Sequence, residues 1–269
     1  MRVKLVLAAT AALVIGGGAS MALARQDAST PSLTTSQKGY LPAGALDTSK
    51  VLPAAPKEGE PRYEADRKVF LATRALKDTP RWSLAQNDVD ERKIVADFGC
   101  ALGFVPEQSK LPKLTSLLLT LRHDVGDAVN KPKDLYQRKR PYLIDEGPIC
   151  VDKTESLAKS PDYPSGHTTW GWTVGLILAE TDPAHATEIL TRARSFGESR
   201  VVCGVHNASA IEAGRTNAAA LVAALHGSKA FRDDLDAVRT ELAEVRKTAT
   251  PAPAAQCLAE KALIAHSPW

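Results

Sequence analysis

An all-α fold, a single helical-bundle domain, is the class this sequence predicts, and three observations predict it. Apolar residues recur at three- and four-residue steps in several separate stretches, the period of an amphipathic helix. No segment sustains the alternation of a half-buried strand. Gly and Pro fall between the periodic stretches, where helices stop and restart. The chain has 269 residues, 44% hydrophobic and 24% charged, enough apolar material for a substantial core and too much for a chain disordered throughout. Lys plus Arg number 34 against 31 Asp plus Glu; a net charge of +3 excludes the large basic excess of a binder of nucleic-acid polymers.

Taken in order, residues 1–24 have the anatomy of a secretory signal peptide. Arg2 and Lys4 form the basic region, Leu5 to Ile15 the apolar region, and Ala22-Leu23-Ala24 the small-residue cleavage site. The apolar stretch is shorter than the ~20 residues that span a bilayer, and Gly16-Gly17-Gly18 interrupts it, against an uncleaved anchor. Cleavage after Ala24 leaves 245 residues with no membrane-spanning run, so a soluble periplasmic or secreted protein is expected. Residues 25–59, rich in Pro, Ser, Thr, Gly and Ala, read as an extended lead-in. The helical domain is expected over 60–246.

Tyr63, Phe70 and Leu76 mark a first helix to about Lys77, and Trp82 to Phe98 a second, stopped by Gly99. The clearest pattern is Leu114, Leu117, Leu118, Leu121, Val125 and Val129, a helix that Lys131-Pro132 should end. A loop is expected from Leu143 to Tyr163 and a helix from Gly166 to Glu180. Asp182, as N-cap with Pro183 after it, opens a helix to about Arg200. Another runs from His206 to Leu225. Ser228 is placed to cap a last long helix with an apolar stripe of Phe231, Leu235, Val238, Leu242 and Val245. Residues 247–269 read as a Pro/Ala-containing tail. Four cysteines, Cys100, Cys150, Cys203 and Cys257, all follow the leader; two disulfides in any of three pairings suit an exported chain. No ligand spacing for a metal stands out.

Three segments combine cations, histidines and a helix start. Lys133-x6-Arg140-Pro141 spaces two cations by about two helical turns, so both can face one way. Pro164-Ser165-Gly166-His167 precedes an apolar helix; backbone amides at a helix start, Gly that admits close approach and a Ser hydroxyl make an anion cradle, with His167 at its lip. In Ser199-Arg200-x5-His206, Arg can clamp phosphate oxygens and His can act as nucleophile or acid–base group. Each segment alone is more simply read as a solvated basic patch or an ordinary helix cap.

Together they resemble the signature of the bacterial class A non-specific acid phosphatases, of the type 2 phosphatidic acid phosphatase and vanadium haloperoxidase superfamily. That signature reads Lys-x6-Arg-Pro, Pro-Ser-Gly-His, Ser-Arg-x5-His-x3-Asp, and ten of its eleven residues stand here in order. Tyr163, Gly171-Trp172, Cys203-Gly204 and Ala213-Gly214-Arg215 share its texture. The resemblance implies the helical fold of that superfamily and hydrolysis of small phosphomonoesters without metal or other cofactor. His206 would be the nucleophile and His167 the general acid–base, with Lys133, Arg140, Ser165, Gly166 and Arg200 holding the phosphoryl group. It also implies inorganic phosphate or vanadate as ligands and a homo-oligomer. A histidine pair near the unperturbed value of ~6.5 would suit mildly acidic conditions.

The eleventh residue departs: Ala210 stands where the signature has the Asp that orients the nucleophilic His. Glu212 falls on the far side of the helix, and Ser209 offers a weaker, uncharged acceptor. A loss of roughly 10- to 10⁴-fold is expected if nothing replaces the carboxylate. A disabled phosphate- or vanadate-binding homologue is the alternative, and a vanadium haloperoxidase a more distant one. His123, His185, His226 and His266 read as surface or helix-end residues, and Asn207-Ala208-Ser209 as a coincidental glycosylation sequon.

Overall fold

Every regular element among the described residues is helical, apart from one antiparallel bridge between Phe104 and Pro251. The computed structural model describes residues 38–269; the leader at 1–24 and the lead-in as far as 37 lie outside them. α1 (Pro61–Thr73) opens on Pro at its first position and tightens into a 3₁₀ turn at Arg74–Leu76. α2 (Pro80–Asn87) is capped by Thr79, whose hydroxyl accepts from Trp82 N–H. The single helix expected from Trp82 to Phe98 is broken: a 3₁₀ turn at Glu91–Lys93, capped by Asp90, separates α2 from α3 (Ile94–Asp97). Gly99 opens α4 (Gly99–Leu102) instead of stopping a helix; Gly103, at φ 77°, does that.

α5 (Pro112–Tyr136) runs 25 residues, through the proline expected to end it. Pro132 has no N–H for the carbonyl of Ala128 four residues back. That carbonyl takes two outside donors instead, Thr48 Oγ1 at 2.6 Å and Asn217 Nδ2 at 3.0 Å. The helix survives because neighbours replace the missing bond. It ends at Gln137, φ 44°.

The expected loop from 143 to 163 contains α6 (Glu155–Lys159), capped by Thr154. α7 (Gly166–Thr181) is followed by a 3₁₀ turn at Pro183–His185 and α8 (Ala186–Val202). Asp182 precedes that turn without capping it; its carboxylate takes Arg246 and His185. α9 spans Ala208–Leu225 and α10 Lys229–Arg246; Ser228 sits at the cap position of α10 but its side chain makes no capping bond. The tail holds α11 (Ala254–Ile264).

α7 is the central helix, packed chiefly against α8 and α9, and most of its residues are buried. The approach is close because α7 presents glycine: a Cβ on Gly171 would meet Phe196 at 2.3 Å, and one on Gly175 would meet Ala193 Cβ at 2.4 Å. Leu114, Leu117 and Leu121 of α5, Ile177 of α7, Phe196 of α8 and Phe231 of α10 lie in one continuous apolar core. Disulfides join Cys100 to Cys257, tying α4 to α11, and Cys150 to Cys203, tying the 143–163 stretch to the end of α8. Tyr40 and Leu41 N–H donate to the buried Asp124 carboxylate, so the end of the lead-in is docked on α5. No helix among the described residues is long and apolar enough to cross a membrane.

Candidate active site

Lys133 and Arg140 do converge, but not along one helical face. Lys133 lies one residue beyond Pro132, in the last turn of α5, whereas Arg140 follows the left-handed turn at Gln137. Arg140 is fixed by Nε to Ser160 O (2.8 Å) and Nη1 to Val205 O (2.7 Å). Lys133 Nζ donates to Pro161 O. Burial, reinforced by the charge of Arg140, lowers the Lys133 ammonium to about 8.

Ser165 caps α7. Its hydroxyl oxygen accepts from Thr168 N–H (3.2 Å) and Thr168 Oγ1 (3.0 Å), and its own N–H donates to Ala210 O at 3.0 Å. It is fully buried and does not line the cavity, whereas Gly166 and His167 do. His167 is buried rather than poised on an exposed lip, its ring stacked on Phe196 at 4.5 Å. Nε2 lies 2.6 Å from the Asp88 carbonyl and Nδ1 2.9 Å from Glu91 Oε1. A carbonyl only accepts, so Nε2 carries hydrogen. Burial and Arg200 push His167 below its usual range; Glu91 and the Asp88 carbonyl pull the other way. Burial alone would raise Glu91, but hydrogen bonds from His167 and Arg122 outweigh it and hold that carboxyl at about 2.

Arg200 lies in the last turn of α8, and the connection to α9 folds back on it: its carbonyl accepts from Val205 N–H and His206 N–H, which sets the ring of His206 beside the guanidinium groups. Nε and Nη1 of Arg200 are buried without a partner among the described residues. Buried donors are almost always paired, so these two suit an anionic group in the cavity. The orientation of His206 follows from its neighbours. Arg140 Nη1, which can only donate, is 3.2 Å from Nε2, so Nε2 presents its lone pair. Nδ1 carries the hydrogen and donates to Asp162 Oδ1 at 2.9 Å. Burial first, then Arg140 and Lys133, hold His206 well below 6.5. The expectation of two histidines near 6.5 is therefore revised: both are lowered, because both are buried among cations.

The carboxylate missing at position 210 has a counterpart in space. Asp162 is fully buried beside His206. Ser209, the acceptor weighed from sequence, is turned away: its hydroxyl meets Asp66 and Arg138. Ala210 packs with Leu52, Ala55, Tyr163 and Ala213. Glu212 faces away as expected, paired with Arg62. The sequon amide Asn207 Nδ2 is buried and donates to Asp162 Oδ2 at 2.8 Å. Sequence reasoning missed Asp162 because it sought a replacement only downstream of His206; an Asp two residues before Pro164 was the available signal. It missed Glu91 because that residue fell inside a supposed continuous helix.

Lys133, Arg140, Gly166, His167, Arg200 and His206 line one cavity of about 340 Å³, with Glu91, Arg122 and Trp170 also on its wall. Arg122 lies over the Trp170 ring at 3.8 Å. His123 and His266 are exposed, His185 pairs with Asp182 and His226 with Glu180, all outside the cavity.

Residues 114–233 match the PAP2 superfamily. Over 197 residues the chain is 42% identical to an acid phosphatase of Zymomonas mobilis, covering 72% of this chain and 75% of that one. Non-specific acid phosphatases of Providencia stuartii and Salmonella typhimurium are each 33% identical, covering 76% and 78% of this chain and 84% and 86% of theirs. With relatives at that identity along most of their length, the chain belongs to the non-specific acid phosphatase family of the PAP2 superfamily.

Proposed function

We propose that the protein is an exported acid phosphatase that hydrolyses small phosphomonoesters of broad identity, nucleotides and sugar phosphates among them, through a phosphohistidine on His206. The observation that carries this reading is the cavity that the His206 Nε2 lone pair shares with three cations, two of them buried and one with two unpartnered donors. The Nε2 lone pair attacks phosphorus as the P–O bond to the leaving alcohol breaks. Lys133, Arg140, Arg200 and the Gly166 amide at the start of α7 stabilise charge on the equatorial oxygens. His167, its Nε2–H exchanging the Asp88 carbonyl for the leaving oxygen, supplies the proton the alcohol takes away, and the same Nε2 then removes one from the water that attacks the phosphohistidine, breaking the N–P bond and releasing inorganic phosphate. Burial and the neighbouring cations favour the unprotonated, nucleophilic form of His206. The signal-like leader and two disulfides support an oxidising, periplasmic or external location. The test is turnover of an aryl phosphate at pH 5–6, with acid-quench trapping of a phosphoenzyme; turnover that never passes through phosphorylated His206 would sink the mechanism.

Glu91 gives this scheme a sharper check. As a carboxylate at Nδ1 it opposes the burial that lowers His167 and so supports the doubly protonated form that a general acid must take. Glu91→Gln should lower kcat by about 10- to 100-fold for alkyl phosphates, whose leaving group needs a proton. For a nitrophenyl phosphate, whose leaving group needs none, it should change kcat by less than about threefold. Equal losses for both substrates would count against the role of His167.

Lys133 sets an alkaline limit. Below about 8 its ammonium is charged and binds the phosphoryl group; above, it is neutral. KM should therefore rise as pH passes through about 8, and Lys133→Met should raise KM at pH 6 and flatten that rise. A KM profile of Lys133→Met that keeps the native inflection would assign the limb to another group.

A further inference from the structure

We propose that Asp162, on the segment leading into α7, is the positioning residue for His206, supplying from there the carboxylate whose place in the signature, position 210, is held by Ala. This rests on the reading of His206 as the nucleophile.

Each contact of Asp162 comes from a donor. Oδ1 takes His206 Nδ1–H at 2.9 Å and Asn207 N–H at 3.1 Å. Oδ2 takes Asn207 Nδ2 at 2.8 Å and lies 3.5 Å from Arg138 Nη1. Burial pushes this carboxyl above its ordinary value, with Arg138 and Asn207 pulling the other way. Three hydrogen-bond donors and the Arg138 charge surround it with no acceptor for a carboxyl proton, so the ionised form is the one that fits. An ionised acceptor at Nδ1 fixes the tautomer that presents Nε2 to phosphorus and steadies the ring once phosphorylation makes it cationic.

The support continues outward. Arg138 also donates from Nη2 to Asp66 Oδ2 at 2.8 Å and from Nη1 to Ser209 Oγ at 2.6 Å. Asp66 in turn accepts Ser209 N–H at 2.9 Å. One guanidinium thus bridges two buried carboxylates, holding Asp162 from α1 and from the first turn of α9. Asp66, Arg138 and Asp162 are each less than a tenth exposed.

The backbone shows why a carboxylate can reach His206 from either place. Ser165 N–H donates to Ala210 O, so the segment that carries Asp162 and the turn that carries position 210 lie side by side. In this chain that second route is unused, because Ala210 carries no carboxylate and its methyl group packs with Leu52, Ala55, Tyr163 and Ala213. The gain that Ala210→Asp would bring to a site lacking its carboxylate is not expected here.

The experiment is a four-variant cycle on the full chain: native, Asp162→Asn, Ala210→Asp, and the double variant, with aryl phosphate kinetics and the proton spectrum of His206. Asp162→Asn should lower kcat by about 100-fold or more with KM within about threefold. Its downfield, hydrogen-bonded Nδ1–H resonance, present in the native protein and assigned by its loss in His206→Ala, should disappear while circular dichroism is unchanged. Ala210→Asp should leave native kcat within about threefold, yet recover about tenfold or more in the Asp162→Asn background. The proposal is overturned if Asp162→Asn stays within threefold of native, if its Nδ1–H resonance persists, if Ala210→Asp alone raises native kcat tenfold, or if it recovers nothing in the double variant. Should Asp162→Asn fail to fold, Ala210→Asp in the native chain still decides. Failure of the underlying reading looks different: His206→Ala would then keep turning over in the same assay, whatever position 162 carries.

Discussion

His206→Ala is expected to abolish turnover, lowering kcat by about 10⁴-fold or more, while the protein stays folded and still binds inorganic phosphate. The asymmetry follows from where the charges are. Lys133, Arg140 and Arg200 line the cavity independently of the His206 side chain and are positioned by backbone or by their own helices. Removing the imidazole deletes the proposed nucleophile but none of the cations proposed to hold the phosphoryl oxygens. Asp162 loses one donor and keeps Asn207 and Arg138, so it is not abandoned in the interior. The check is a pair of numbers from one preparation: kcat for an aryl phosphate, and the inhibition constant of phosphate measured by protection against thermal unfolding. An enzyme that keeps a tenth of native kcat without the ring would remove His206 from the reaction. One that loses turnover together with phosphate binding would make His206 a structural member of the cavity.

Arg192→Met should be the most destabilising single change outside the cavity, costing about 3–5 kcal/mol. Arg192 is almost wholly buried, donates to Asp97 O from Nε at 3.1 Å, and holds both carboxylate oxygens of Asp88 through its two terminal nitrogens. Asp88 is fully buried, so removing the guanidinium strands a charge that cannot be resolvated without opening the fold. Ser199, which also donates to Asp88, is a partial substitute at best. Asp88 is also the residue whose carbonyl receives His167 Nε2, so the damage should reach the site. A urea midpoint shifted by the equivalent of less than about 1 kcal/mol would show that Arg81, which shares Ser199 with Asp88, takes over.

What the sequence made legible divides along physical lines. The helices that carry an uninterrupted apolar stripe, α5 and α10 above all, were readable because burial imposes a period. The same reading failed where another interaction outweighed the local rule. Trp82 to Phe98 has the composition of one helix, but the buried Asp88–Arg192 pair takes the chain out of helix at a point no period marks. Lys131-Pro132 should have ended α5, and tertiary donors to one carbonyl carried it on. The disulfide pairing was open because spacing does not encode distance; the fold selects Cys100–Cys257 and Cys150–Cys203. In the cavity, Lys133, Arg140, Gly166, His167, Arg200 and His206 were all named in advance because a fixed spacing tied them to a known chemistry. Ser165 was named too, and lies behind the wall as the cap of α7. Asp162 and Glu91 were not named, since each meets its histidine across a long separation in sequence.

The carbonyl of Ala128 couples three positions. Pro132 withholds the ordinary bond, and Thr48 and Asn217, from the lead-in and from α9, supply what it withholds. With Pro in place, losing both donors orphans a buried acceptor; with both donors in place, restoring an N–H at 132 offers a third donor to an oxygen with two lone pairs. Each residue is thus held by the other two, an entrenchment that makes one-at-a-time replacement costly and concerted replacement cheap. Because Lys133 is the next residue along, that shared carbonyl joins the lead-in and α9 to the turn that carries a cation of the cavity.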